Sequence, residues 1–180
     1  MKKLFFMLAA AMIAVSSCKK DNDDNDSVSC SLPSTTVPAD MVGNWASGFN
    51  SSTEIVDVYN GQHLGNAWQS GKYFHFSADG KYAEFYYMAN AGLTSSSATK
   101  VVGTVSFDEQ EGSFVFHACS GHYRGWQNGL LTVDRDATSA ELSNNLTQKY
   151  FYSFETSGGI TWMQIRFDPA GSPSSFERVN

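Results

Sequence analysis

Hydrophobic and polar residues alternate along much of the chain after residue 40, and the alternation is clearest in the stretch KYFHFSADGKYAEFYYM, residues 72–88. Two aromatic-rich runs flank Ala78-Asp79-Gly80, where glycine can turn the backbone through positive φ. A period of two is typical of β-strands, and a short loop ending on glycine joins two strands into a hairpin. The pattern therefore predicts a β-hairpin with a type I turn and a G1 bulge.

The predicted hairpin carries hydrophobic residues on both faces. Neither face is polar when Ser77 lies opposite Lys81, whereas a sheet that covers one core alternates cleanly between apolar and polar residues. We therefore expect both faces to be covered, by the core and an outer loop or helix, by a ligand cavity, or by a partner. One face carries Phe74, Phe76, Tyr82, Glu84 and Tyr86, and the other carries Tyr73, His75, Ala83, Phe85 and Tyr87.

Short β-rich runs separated by polar or glycine-bearing turns continue to the end of the chain. Turn residues stand at 128–129 and 157–159, an acidic loop spans 108–112, and Thr138 with Glu141 forms a capping-box pattern for a short helix. Nine or ten such strands predict an all-β antiparallel meander that closes into a β-barrel and so removes its edges. A β-sandwich is the alternative that the pattern leaves open.

The first 40 residues differ in composition from the rest. Two lysines precede an apolar stretch, Leu4 to Val15, that would form a helix of about 18 Å, too short for a bilayer core of about 30 Å. This pattern predicts a signal peptide over residues 1–17. Residues 18–40 are acidic and rich in Ser, Pro and Thr, which predicts a disordered tether. The folded domain is expected over residues 41–180.

The charge balance excludes one class of partner. The chain has 18 acidic and 12 basic residues, a net charge of −6, and removal of a leader containing Lys2 and Lys3 lowers this to −8. Nucleic-acid binding needs clustered Lys and Arg, and the basic residues here are dispersed. We therefore expect no nucleic-acid partner.

The end of the apolar stretch, Val15-Ser16-Ser17-Cys18, resembles the lipobox of bacterial lipoproteins. The resemblance implies that Cys18 becomes the first mature residue and carries acyl chains such as palmitate, which anchor a protein stably when two or more are present. The acidic run that follows looks like a surface-export signal of some Gram-negative lineages. It implies an outer-membrane protein exposed at the cell surface; the periplasmic face, a plain acidic spacer and an ordinary secretory leader are the alternatives.

Three stretches resemble lipocalins and lipocalin-like lipoproteins. Gly43-Asn44-Trp45 matches their Gly-X-Trp, residues 76–82 resemble their F-x-x-D-G-x-Y hairpin, and residues 175–179 resemble their closing aromatic-x-Arg strand. The resemblance implies a barrel whose closed end is plugged by Trp45, with Arg178 across the indole in a structural cation–π contact. Arg166 is the competing partner. The chain lacks the long C-terminal helix typical of lipocalins.

Residues 122–129 alternate aromatic rings with hydrogen-bond donors, and their glycines and Asn128 predict a loop. Rings that stack and polar groups that orient are what a small-ligand site needs, and the same mixture suits the faces of sugars. The alternative is that Trp126 and Tyr123 fold back as a lid on the core. The candidate ligand-binding residues are Trp68, His122, Tyr123, Arg124 and Trp126.

Cysteines and histidines suggest two further features. Cys30 and Cys119 can pair in an oxidising exterior and pin the tether to the barrel, although sequence does not decide their geometry. His117, Cys119 and His122 lie close in sequence but match no zinc module. We therefore expect neither a metal site nor a cofactor.

No nucleophile, phosphate-binding or metalloprotease motif is present, and scattered acids such as Glu54 with Asp57, or Glu84 with Glu155, are typical of solvated strands. The expected function is therefore non-enzymatic, with a hydrolase as the remote alternative.

Two binding functions remain. The first is a lipid-anchored barrel that holds a small apolar or amphipathic ligand inside. The second is a surface module for carbohydrate or protein, with a filled core. An interior cavity larger than about 300 Å³ would favour the first.

Overall fold

The computed structural model describes residues 30–50, 54–56, 59–66, 68–92 and 94–179. The predicted signal peptide and Cys18, with its predicted lipid, lie outside the described residues, and so do the side chains of residues 49–50, 54–55 and 63–68. Within the described ranges, no helix is long and apolar enough to cross a membrane.

Strands make up most of the described chain, and they are numbered in chain order. The short helix α1 (Ser139–Glu141) and a π-helical turn (Leu142–Leu146) lie between β8 and β9. The strands are β1 (Gly43–Asn50), β2 (Glu54–Val56), β3 (His63–Asn66), β4 (Trp68–Phe76), β5 (Ala83–Ala91), β6 (Ser95–Asp108), β7 (Ser113–Gln127), β8 (Leu130–Asp136), β9 (Gln148–Ser157), β10 (Ile160–Arg166) and β11 (Ser174–Val179).

Eight of these strands close into a barrel. The hydrogen-bonded order is β1, β4, β5, β6, β7, β9, β10 and β11, and β11 pairs back onto β1 with Trp45 opposite Arg178. β2 and β3 form a separate hairpin. The predicted all-β antiparallel meander closing into a barrel is therefore confirmed. A β-sandwich is excluded, because one ring of hydrogen bonds joins all eight strands.

Strand β7 changes its partner along its length, which leaves β8 outside the ring. Its first residues, 113–116, pair with β9, whereas residues 122–127 pair with β8. Every residue of β8 is exposed. The chain returns to β9 through α1, where Thr138 and Glu141 form both hydrogen bonds of a capping box. The predicted short helix is confirmed.

The hairpin between β4 and β5 has a different register from the predicted one. The amide of Ser77 donates to the carbonyl of Tyr82 (3.0 Å), so the loop contains the four residues 78–81. The carboxylate of Asp79 accepts from the Ser77 hydroxyl (2.8 Å) and the Lys81 amide (3.0 Å), which stabilises this longer loop. A slip of one residue exchanges the two faces of a strand.

In the observed register the hairpin alternates cleanly. Phe74 and Phe76 lie beside Phe85 and Ala83, and these four residues face the core. The expectation of two hydrophobic faces is therefore wrong, and so is the need to cover both of them. The outer face instead carries rings with polar groups, namely Tyr73, His75, Tyr82, Glu84 and Tyr86.

Aromatic side chains pack closely in the described part of the barrel core. The centroid of the Phe74 ring lies between 4.8 and 6.1 Å from those of five other rings. Beside it, Tyr150, Phe85 and Phe176 help to line a gap of about 30 Å³. Such a gap has room for a water molecule or two but not for an organic ligand. Burial raises the pKa of the Tyr150 phenol, so this hydroxyl stays neutral inside the core.

Residues 30–42, which we call the strap, cross the end of the barrel that Trp45 closes. The amide of Val37 donates to the carbonyl of Ala78 (3.0 Å) in the β4–β5 loop. Val37 and Met41 are buried in the core cluster. The prediction that the disordered tether extends to residue 40 is therefore wrong for residues 30–40, because this segment supplies apolar side chains and hydrogen bonds to the barrel.

A disulfide between Cys30 and Cys119 holds the start of the strap against β7, with 6.1 Å between the two Cα atoms. Pairing of these two cysteines was one of the possibilities that the sequence left open, and the structure decides it. The bond closes a segment of 89 residues, which restricts the unfolded chain strongly.

Candidate functional site

Trp45 and Arg178 lie together at the closed end. The Cζ atom of Arg178 is 4.6 Å from the centroid of the Trp45 ring. Its Nη1 and Nη2 donate to the carbonyls of Val42 (2.9 Å) and Asp40 (2.6 Å), and the Trp45 indole donates to that of Met41 (2.9 Å). The contact that the resemblance implied is present, and all three carbonyls belong to the strap. These side chains therefore seal the barrel.

The surroundings of this pair also point to a structural role. Gly43 begins β1 with φ +111°, a conformation that favours glycine. Arg166, the competing partner of Trp45, donates instead to the hydroxyl of Ser153 (3.0 Å). A groove of about 620 Å³ lies beside Trp45 and Arg178, but two terminal nitrogens of the guanidinium already donate to carbonyls.

Residues 122–127 form the last part of β7, so the predicted loop over 122–129 is wrong. Only Asn128 and Gly129, both with positive φ, form the turn into β8. Gly125 lies within this strand and pairs with Val133 across the β7–β8 ladder. As a consequence, alternate side chains point to opposite faces of β7.

Three of the five candidate ligand residues share one groove on the outer wall of the barrel. His122, Arg124 and Trp126 of β7 line one side of a groove of about 400 Å³, and Tyr86 and Met88 of β5 line the other. β6 lies between these two strands, and the small side chain of Ala98 on β6 leaves space for the groove. We call this the outer groove; its lining residues are Tyr86, Met88, Ala98, Thr99, Lys100, His122, Arg124 and Trp126.

Two cations of the outer groove, Lys100 and Arg124, form ion pairs with acidic neighbours. Lys100 Nζ is 3.2 Å from the carboxylate of Glu84 and 5.4 Å from the centroid of the Tyr86 ring. Its hydrogen bond with Tyr86, supported by the one with Glu84, raises the pKa of Lys100 and keeps it charged. Arg124 Nε lies 3.3 Å from the carboxylate of Asp134 on β8. Both cations are therefore oriented before any ligand arrives.

His122 lies between two carboxylates of β8. Its Nδ1 is 2.7 Å from Oδ1 of Asp136, and its Nε2 is 2.6 Å from Oδ1 of Asp134. The hydrogen bond with Asp136, followed by that with Asp134, raises the pKa of His122. In the imidazolium both nitrogens are donors, so the protonated ring satisfies both carboxylates and joins β7 to β8.

Of the two remaining candidates, Tyr123 lies away from the groove. Tyr123 points to the opposite face of β7, where the Cζ atom of Arg135 is 4.9 Å from its ring centroid. Arg135 in turn donates to Glu141 and, with the Thr138 cap, lowers the pKa of that carboxyl to about 2. Trp68 begins β4, but its side chain lies outside the described residues.

The sequence patterns do not select Tyr86, Met88 and Lys100 as binding residues. They lie at least 26 positions before Trp126, and nothing local connects them with it. The strand register makes the connection, because Tyr86 pairs with Lys100 and Lys100 pairs with His122. Only a correct pairing of β5, β6 and β7 could have found the groove.

The residues considered as a metal site have separate partners. Cys119 is in the disulfide, and His117 Nε2 is 2.7 Å from the hydroxyl oxygen of Ser106. Burial lowers the pKa of His117, which favours its neutral form. In the part of the chain that the structure describes, no group of three or more His, Cys, Asp or Glu side chains is placed to hold a metal ion.

No family model matches the chain, and no curated protein matches its sequence. The geometry of the outer groove and the motifs of the sequence itself are therefore the basis for a function.

Proposed function

We propose that this chain is a lipid-anchored extracytoplasmic lipoprotein that binds an uncharged carbohydrate in its outer groove. The observation that carries the proposal is the position of Trp126 and Tyr86 on strands either side of β6, around a groove of about 400 Å³. Aromatic rings offer large rigid apolar faces to the C–H faces of sugars, and fixed polar groups between them orient hydroxyls.

The charges of the groove favour a neutral ligand. When His122 is protonated, three cations in the groove face three carboxylates at its margin, so neither sign is in excess. An anionic or a cationic ligand would have to compete with an existing ion pair, whereas sugar hydroxyls can both donate to and accept from the same groups. The pairs are Lys100 with Glu84, Arg124 with Asp134, and His122 with Asp136.

The barrel interior is a weaker candidate site. A small apolar ligand inside the barrel needs a cavity of about 300 Å³ or more, and the gap beside Phe74 measures about 30 Å³. This close packing in the described part of the core favours the surface-binding hypothesis over the interior one. The proposed role is binding without catalysis, since the sequence has no nucleophile motif.

The proposed cell address follows from the N-terminal motifs. Residues 15–18 support lipidation at Cys18, and the acidic residues after it support placement at the outer membrane, facing the cell surface. The Cys30–Cys119 disulfide suits an oxidising compartment. The Gly43-Asn44-Trp45 motif and the Trp45–Arg178 contact support a lipocalin-like family.

Two measurements test the proposed cell address. Labelled palmitate should be incorporated into the wild-type chain and not into Cys18→Ala, and protease added to whole cells should digest the wild type if it is exposed at the surface.

Binding is tested with a glycan array and the detergent-solubilised full chain. We expect binding to neutral glycans and a loss of tenfold or more in affinity for Trp126→Ala. Trp162→Ala is the matched control, because it removes the same side chain from the outer face of β10, away from the groove. Equal binding by wild type and Trp126→Ala, or binding to no neutral glycan, would contradict the proposal.

A further inference from the structure

The outer groove is one part of a longer row of side chains on the barrel wall. Tyr73, Tyr86, Lys100, His122 and Asp136 are consecutive partners across β4, β5, β6, β7 and β8. Residues adjacent to them in the chain, among them Phe74, Phe85 and Val101, face the core. By the period of two, the whole row therefore faces outward.

The row continues beyond the groove with the same mixture of groups. The ring of Tyr73 meets that of Tyr86 edge to face, with 5.8 Å between centroids. The Tyr73 hydroxyl donates to Oδ1 of Asn44 on β1 (2.8 Å), and Nδ1 of His75 is 2.7 Å from the same oxygen. Tyr73, Asn44 and His75 are half-buried, so each still offers surface to a ligand. This group supplies a second place where a ring adjoins fixed polar atoms.

The length of the row exceeds that of a single sugar. Five neighbouring strands span about 19 Å, since adjacent strands lie about 4.8 Å apart. A glycan chain repeats along its length at a distance close to one strand spacing, so successive sugar units can meet successive strands. Tyr73 and Asn44 add no carboxylate or ammonium group to this end of the row, so a neutral ligand meets no unpaired acidic or lysine side chain there.

We infer that the ligand is a neutral polysaccharide chain lying across β4 to β8, with Trp126 and Tyr86 holding one part and Tyr73 with Asn44 holding a neighbouring part. This inference rests on the proposed carbohydrate binding and adds the polymeric nature of the ligand and a second subsite. The chain crosses the strands on the outside of the barrel, so it can be bound at internal positions and need not present an end.

Calorimetry with neutral gluco-, xylo- and manno-oligosaccharide ladders, from one to six units, tests this inference on the full chain. Wild type should bind the longest member of at least one ladder tenfold or more tighter than its disaccharide. Tyr73→Ala should abolish this gain with length. Trp126→Ala should weaken binding at every length. Tyr73→Phe keeps the ring and, if Tyr73→Ala fails to fold, measures the contribution of the hydroxyl alone, expected to be a few-fold.

The outcomes separate the two proposals. Affinity that does not depend on length, with Tyr73→Ala or Tyr73→Phe equal to wild type, would overturn the polysaccharide inference and leave carbohydrate binding in place. Binding to no ladder by the folded wild type would overturn the polysaccharide inference, and binding to no neutral glycan on the array as well, as expected of a protein-binding surface, would overturn both. A gain with length that survives in Tyr73→Ala would place the second subsite elsewhere and would also overturn the inference.

Discussion

Arg178 and Trp45 stand opposite each other in the β1–β11 ladder, and the guanidinium covers the indole at 4.6 Å while it donates to two carbonyls of the strap. One side chain thus joins the closing strand, the first strand and the strap. We predict that Arg178→Ala lowers the free energy of unfolding by about 2 kcal/mol, through loss of the cation–π contact and of charge-assisted hydrogen bonds. Urea denaturation of the purified domain measures this change.

Arg166→Ala is the matched control for that prediction. Arg166 lies on the neighbouring strand β10 and donates to one serine hydroxyl. Its removal should cost less than about 1 kcal/mol, as for most surface polar contacts. Equal losses for the two variants would mean that the Trp45 contact contributes nothing specific.

Gly80 brings the β4–β5 loop against the strap. It has φ +68°, and a Cβ atom there would overlap the carbonyl oxygen of Thr35 and lie 2.8 Å from that of Val105. Gly158 has a similar φ, +62°, but nothing lies within 4 Å of its Cβ position. We predict that Gly158→Ala costs about 1 kcal/mol, from backbone strain alone, and Gly80→Ala about 3 kcal/mol or more. Thermal unfolding of both variants measures the two losses of stability. Similar losses would show that the strap can move away from the added Cβ atom at little cost.

The Cys30–Cys119 disulfide should stabilise the domain by restricting the unfolded chain. Because the bond closes a segment of 89 residues, we predict that the double variant Cys30→Ser, Cys119→Ser has a free energy of unfolding about 2–4 kcal/mol lower than that of the wild type. Limited proteolysis should then cut within residues 30–42 before the barrel. As a check on the bond itself, alkylation of the untreated protein should leave both cysteines unlabelled; labelling without reductant would contradict the assignment.

His122 should make the β7–β8 pairing sensitive to pH. Hydrogen bonds with Asp136 and Asp134 raise the pKa of His122 above its usual 6.5. A pKa raised by folding means that its stabilising contribution is complete below pH 6.5 and is lost as the pH rises through the folded-state value. The amides of β8 should therefore exchange hydrogen faster, after correction for intrinsic rates, at pH 9 than at pH 6, and His122→Gln should remove the difference.

An NMR titration tests the same prediction directly. The other charged groups near His122 are the cations Arg124 on its own strand and Lys100 opposite it on β6, and each of them is paired with a carboxylate. The pKa of His117, which burial lowers, serves as an internal reference in the same spectrum. A pKa of His122 at or below 6.5 would contradict the hydrogen bonds of the protonated ring with Asp134 and Asp136.

Local features of the sequence were sufficient for the class of fold. The acidic loop at 108–112 separates β6 from β7 as predicted, and the capping box at Thr138 opens a helix. A period of two and a turn residue act within a few positions of the chain, so they can be recognised without knowledge of the rest. The Gly43-Asn44-Trp45 motif is also short, and its resemblance to the lipocalin motif implied the observed burial of Trp45.

The tether illustrates where composition misleads. Residues 30–40 are rich in Ser, Pro and Thr, and Leu32 and Val37 are their only large aliphatic residues, yet a buried Val37, backbone hydrogen bonds and a disulfide hold the segment on the barrel. Its hydrogen-bond partners lie about 40 and 70 positions away in the chain, so no local pattern records them.

Alternation and turn residues alone determined that this chain forms antiparallel strands, because both are local properties of the polypeptide. Tertiary structure decided which aromatic residues face inward, where β7 exchanges β9 for β8, and that Tyr86, Lys100 and His122 form one row. The physical reason is that a shift of one residue barely changes the local pattern of a strand but exchanges its two faces, and only packing against the core selects between them.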